Sequence, residues 1–212
     1  MVTLPHNAFT FASMRAIWTL PITCLALIAE PADAQERARL EDSIKGLQAT
    51  LNGQGRLSWV QTTRSTSGGQ ASSVNVTAKV AEANVDAKSC VLTFRLERSF
   101  PNYRIDLSWT LPLRDIGKVE VLPMAEFANR TSAAGGHPER NLSTDAPVVL
   151  VQVHAERDGK FAAHRWSVNS DKQVIERDEK VSPASFLFNT EESAKSVANA
   201  LLNARDLCRQ QE

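Results

Sequence analysis

Cysteine is scarce in this chain of 212 residues, with only Cys24, Cys90 and Cys208. That excludes a cysteine-dense disulfide scaffold and any zinc site built on repeated Cys-x-x-Cys pairs. Tyrosine occurs once, and aromatic residues make up only 6% of the chain. Tyr103 and Trp109 fall on the apolar face of one strand, as core residues do, whereas a sugar-binding platform needs several aromatics on a polar face. Neither sign of charge is in excess: 24 Lys and Arg stand against 24 Asp and Glu. With no basic run, nucleic acid and anionic membrane surfaces are poor candidate partners. Long hydrophobic runs are also missing. The longest, "AIWTLPITCLALIA" (16–29), has 14 residues and falls short of the roughly 20 that span a bilayer, so no stable membrane anchor is expected.

That run has another use. It follows Arg15 and leads through "EPADA" to Ala32-Asp33-Ala34, a small-x-small cleavage site, which is the pattern of an export signal over residues 1–34. Met14 is an alternative start. "LPITC" lacks the small residues that lipidation at Cys24 requires, so the leader is expected to be cleaved and the protein to be periplasmic or secreted by bacterial-type export. Removing it leaves 178 of the 212 residues, enough for one domain with a real core. Cys90 and Cys208 remain as an even pair in a compartment where disulfides persist.

The residues that follow predict α+β architecture. An N-terminal helix (35–54) places Leu40, Ile44, Leu47 and Leu51 on one stripe and ends at Asn52-Gly53. The period then changes to two. "RLSWVQTT" (56–63) and "VNVTAKV" (74–80) form a hairpin across the polar connection 64–73. In "CVLTFRLER" (90–98), Cys90, Leu92, Phe94 and Leu96 share one face. In "YRIDLSWTL" (103–111), Tyr103, Ile105, Leu107, Trp109 and Leu111 do the same. Such alternation implies antiparallel strands with one wet face. "VVLVQVHA" (148–155) and "FAAHRWSV" (161–168) are expected to pair as a hairpin across Asp158-Gly159, a strong two-residue turn signal. "VIERDEKV" is a polar edge strand and "SFLF" (185–188) the last strand. The final helix is expected to be capped by Asn189 with Glu192 completing a capping box. Its buried stripe is Ala194, Val197, Leu201, Ala204 and Cys208. Cys90 and Cys208 thus both face the core, which predicts a disulfide between them.

Residues 124–147 show no period and many turn formers, which predicts a long surface loop. Arg130, Gly135, Gly136, His137 and Arg140 are its candidate recognition residues. His137, His154 and His164 stand in no ligand-spaced motif, and in the expected hairpin the last two point to opposite faces, so no metal or other cofactor is expected. There is no Gly-x-Ser-x-Gly elbow, and "ESAK" (192–195) lies within the capped helix. The triplets at Asn75, Asn129 and Asn141 match the glycosylation sequon and identify nothing further.

The closing "SFLFNTEESAKSVANALLNARDLC", with "WTLPLRDIGKVEV" (109–121) leading from one strand to the next, resembles the pleckstrin-homology-like superfold. The resemblance covers residues 55–208 and implies a bent barrel of about seven to eight strands closed by the C-terminal helix. The alternation alone leaves a β-sandwich with flanking helices equally open. No functional residue transfers, because the basic cluster of the phosphoinositide-binding members is absent. The expected function is an exported, non-catalytic binding or interaction module for an unknown protein or small-molecule ligand, met by the 124–147 and 64–73 loops. The alternatives are a hydrolase whose site is assembled from dispersed residues such as His137 or His154, and a carrier of a small hydrophobic ligand.

Overall fold

A computed structural model describes residues 32–65, 71–136, 140–156 and 159–211. The leader up to residue 31, His137, Asp158 and the 66–70 connection lie outside the described residues.

Helix α1 (Ala32–Asn52) buries Leu40, Ile44, Leu47 and Leu51, the stripe that its spacing predicts. Strands β1 (Arg56–Ser65), β2 (Ser72–Asp86), β3 (Val91–Phe100) and β4 (Tyr103–Pro112) follow as an antiparallel meander. A 3₁₀ turn (Leu113–Asp115) leads to β5 (Ile116–Pro123), α2 (Met124–Ala134), β6 (Arg140–Thr144), β7 (Val149–Ala155), β8 (Phe161–Val168), β9 (Val174–Val181), β10 (Ala184–Phe188) and α3 (Glu191–Arg209). Among the described residues ten strands make two sheets. One is seven-stranded, in the order β6-β1-β2-β3-β4-β8-β9, and the other three-stranded, in the order β10-β7-β5. Among the described residues neither sheet closes into a barrel.

Alternation sets the two faces of the large sheet. Leu92, Phe94, Leu96, Trp109, Leu111, Phe161 and Ala163 are buried, while Thr93, Arg95, Ser108, Thr110 and Ala162 are exposed. The inner face meets the small sheet at Phe94, whose ring centroid lies 4.1 Å from that of Phe186 on β10. The terminal helices complete the enclosure: α1 packs on β2 and α3, and α3 packs on β5, β7 and β10. Asn52 fastens α1 where β2 outruns β1. Its amide donates to Ala83 O at 2.8 Å and accepts from Ala83 N at 2.7 Å, beside a register shift between Val80 and Glu82. Gly117 lies in a second irregularity, between Ile116 and Lys118, where an added Cβ would come within 2.9 Å of Glu156 Cα. Only glycine admits that approach.

Four expectations are corrected. Strands β7 and β8 form no hairpin: β7 pairs with β5 and β10, whereas β8 pairs with β4 and β9. A local turn signal reports where the chain bends and cannot report which sheet receives the next strand. Consequently His154 and His164 stand in different sheets. Residues 124–147 are not a structureless loop, because 124–134 form α2 and 140–144 form β6. Only Met124 is fully buried in α2, so too few apolar positions mark its face for a period to show. The α3 cap is Thr190, not Asn189; its hydroxyl oxygen accepts from Ser193 N at 3.2 Å. Finally, Cys90 precedes β3 rather than lying in it, and closes a turn with φ 54°.

Candidate functional site

The predicted disulfide is present, with the Cys90 and Cys208 sulfurs 2.17 Å apart and both residues buried. It is structural, tying the end of α3 to the turn before β3. The candidate recognition residues are dispersed. Arg130 pairs with Glu126 one turn back on α2. Gly135 and Gly136 end that helix, with Gly135 N donating to Thr131 O at 2.9 Å and Gly136 at φ +79°. Arg140 opens β6 opposite Ser65. Asn129 ties the helix to that strand, accepting from Leu142 N at 2.7 Å and donating to Leu142 O at 3.4 Å.

Three other places gather chemistry among the described residues. On the outer face of the large sheet, Ser108, His164 and Asp178 stand opposite one another on β4, β8 and β9. They border a shallow depression of about 450 Å³. The row has the residue types of a nucleophilic triad but not its geometry. His164 Nδ1 lies 2.8 Å from Asp178 Oδ1, and Nε2 lies 3.1 Å from Glu176 Oε1, so both ring nitrogens face carboxylates and neither is turned to Ser108. The Asp178 hydrogen bond, with Glu176 beside it, holds the His164 pKa above its ordinary value. The arrangement favours an imidazolium rather than a base.

On the small sheet, His154 Nε2 lies 2.9 Å from Glu120 Oε2, and Glu120 also meets Lys118 Nζ at 2.5 Å. The hydrogen bond from Lys118 draws the Glu120 carboxyl below its usual range. Gln152, opposite Glu120, is buried with its Nε2 unbonded.

The third gathering lies on the inner face of the large sheet, at the end away from the disulfide. The register places Leu57, Ala78, Arg98, Ile105, Ser167 and Ile175 in one row across six strands. Phe100 and Tyr103 stand in the next row out, and Leu107 and Arg165 in the next row in. Burial loosens here: Arg98, Phe100, Tyr103, Ile105, Leu107 and Arg165 keep partial exposure, whereas Leu92, Leu111 and Phe161 at the other end have at most 1%. Arg165 Nη2 donates to the Tyr103 hydroxyl at 2.8 Å. Arg98 Cζ lies 5.4 Å from the Phe100 ring centroid, and the Phe100 and Tyr103 rings lie 6.0 Å apart. Arg98 Nε is shielded from solvent with no acceptor. Burial pushes the Arg98 guanidinium below its ordinary range, offset only by Tyr103.

Continuing the β3 alternation one step beyond Leu96 puts Arg98 on the apolar face, and the β8 alternation puts Arg165 there after Phe161 and Ala163. That periodicity was the available signal for this site. The outer face of the same strands shows the contrast. There Glu97 meets Arg95 at 2.5 Å, Lys79 at 3.5 Å and Arg104 at 3.8 Å. Burial pushes the Glu97 carboxyl up, and these cations outweigh that and hold it below its usual range. Outer-face charges are thus matched, and Arg98 on the inner face is not. No family model, curated protein or solved structure matches the chain.

Proposed function

We propose that the protein is an exported, non-catalytic binding module whose ligand seats on the half-open inner face of the large sheet, between Arg98, Phe100, Tyr103 and Arg165. The observation that carries this reading is the combination of half-buried aromatic and aliphatic surface with a buried donor that no protein group satisfies. Binding sites have that composition: mostly apolar walls and a few polar groups left for the ligand. Export is supported by the Cys90–Cys208 bond, which suits an oxidising compartment. Among the described residues no helix is long and apolar enough to cross a membrane.

The chain's single tyrosine is Tyr103, which makes it a built-in reporter. Compounds that raise the melting temperature in a small-molecule screen should slow iodination of Tyr103. They should leave diethyl pyrocarbonate modification of His164, on the outer face, unchanged. Stabilising compounds that protect His164 and leave Tyr103 open would overturn the assignment. Turnover of a bound compound would overturn the non-catalytic part of it.

A further inference from the structure

We infer that this inner-face site takes an oxyanion, a carboxylate or phosphate group, held by the guanidinium of Arg98 beside the Arg165–Tyr103 pair. The inference rests on the site assignment above and adds the chemistry of its ligand. It begins with what Arg98 lacks. Arg98 is half-buried, its Nε shielded without an acceptor, and a partly desolvated cation normally has a carboxylate within reach, because desolvating an unpaired charge is costly. The acidic side chain on the inner-face positions of β9, three strands from β3, is Glu179, which lies 3.1 Å from Arg177 Nη2. It stands opposite Ala163, on β8, in the row that holds Phe94 and Trp109 on β3 and β4. The carboxylates nearest to Arg98 in sequence, Glu97 and Asp106, belong to the outer face and are held by outer-face cations.

Lysine or histidine in this position could shed its proton to escape the cost, whereas arginine keeps its charge throughout the accessible pH range. An external anion would supply the partner that Arg98 lacks. Its planar fork suits a two-oxygen acceptor, and its Cζ lies over the Phe100 ring, with Ile105 opposite it on β4 and Tyr103 opposite Phe100, both partly exposed. Tyr103, already accepting from Arg165, retains its own O–H to donate. Two guanidinium groups and one hydroxyl therefore supply donors on one patch. Two further inner-face donors, Trp59 Nε1 and Trp109 Nε1, are likewise buried without acceptors. The excess on this face is of donors, the complement of an acceptor-rich ligand.

Titration of the purified, disulfide-intact chain with inorganic phosphate, decanoate and decanol tests the inference, with calorimetry giving affinity and Tyr103 iodination giving location. Saturable binding of phosphate or decanoate that protects Tyr103 and weakens at least about tenfold in Arg98→Met is the expected result, the scale of one lost charge-assisted hydrogen-bond pair. Arg98→Lys, which keeps the charge without the fork, should lose less. Binding of phosphate alone identifies a free anion as the ligand, and binding of decanoate alone identifies an anion carried on an apolar body. If decanol matches decanoate and Arg98→Met changes neither, the oxyanion inference falls while the site assignment stands. If no probe protects Tyr103, both fall. Arg98→Met removes a half-buried charge without a protein partner, so its melting temperature is expected to hold, and near-ultraviolet circular dichroism checks its packing.

Discussion

Asn52 shows how one side chain closes the edge of a strand. Beyond Arg56, opposite Lys79, β1 no longer covers β2, and the Ala83 backbone would stand unpaired on that edge. Asn52 meets both its groups, and Gln48 Oε1 accepts from Val85 N at 3.3 Å in the same way. Asn52→Ala removes two hydrogen bonds at once and should destabilise the fold by about 1–2 kcal/mol. Urea denaturation reads that directly, and an unchanged midpoint would show that water replaces the amide at no cost. His164 gives a second test at this scale. Its folded-state pKa lies above the unfolded value of about 6.5. Its contribution is therefore complete below that pH and is lost as pH rises through the folded pKa. His164→Gln should flatten stability across that window, with an NMR titration of the imidazole giving the shift itself; an unshifted titration would sink the ion-pair account. At this scale the sequence was informative wherever alternation ran on: Leu92, Phe94 and Trp109 are buried as their period predicts. Arg98 obeys the same period although it is charged, and its shielded Nε shows position outweighing composition.

Elements are where local signals and tertiary structure diverge. The α3 stripe, Ala194, Val197, Leu201, Ala204 and Cys208, is buried as its spacing requires, because an amphipathic helix needs only one partner surface to be legible. Strand β7 is different. Six of its seven residues are buried, a pattern that marks a strand covered on both faces, and this sets it apart from β8, whose residues alternate for the one-sided large sheet. The dense burial, rather than the Asp158-Gly159 turn, carried the information about sheet membership. Helix α2 was illegible because it packs chiefly on β6, an edge strand, with few apolar contacts to give it a stripe. The end of α3 is held by the disulfide and by the hydrogen bonds of two arginines. Besides the disulfide, Arg114 Nε donates to Cys208 O at 2.9 Å, and Arg209 Nη2 donates to Arg114 O at 2.8 Å and Ile116 O at 3.2 Å. With the cysteines 118 positions apart in sequence, the chain-entropy model assigns the crosslink up to about 4–5 kcal/mol. Cys90→Ser with Cys208→Ser should lower the unfolding free energy by several kcal/mol. The arginine contacts should keep α3 docked at neutral pH, so far-ultraviolet circular dichroism should change little before denaturant is added. Two alkylatable thiols in non-reduced protein, seen by intact mass, would instead show that the bond does not form.

For the molecule as a whole, the two sheets and both terminal helices share one hydrophobic cluster, from Leu40 on α1 through Phe94 and Phe186 to Leu201 on α3. The α+β class was readable from the order of periodicities, helix, strands, helix. The division into seven and three strands was not, because it depends on long-range pairing that no local pattern encodes. Shared burial has a thermodynamic consequence: the sheets should lose structure together rather than in turn. Phe186 is the place to test it, since it is fully buried on the small sheet and touches Phe94 on the large one. Phe186→Ala leaves a cavity at that junction and should cost about 3–5 kcal/mol, a large share of the 5–15 kcal/mol typical of a domain. The unfolding curves followed by far-ultraviolet circular dichroism and by tryptophan fluorescence should still coincide. Outside the expected leader, which carries Trp18, the tryptophans are Trp59, Trp109 and Trp166, all in the large sheet. If the small sheet instead melts first in the variant, the circular dichroism transition will precede the fluorescence transition, and the single-core description will have to give way to two separately stable layers.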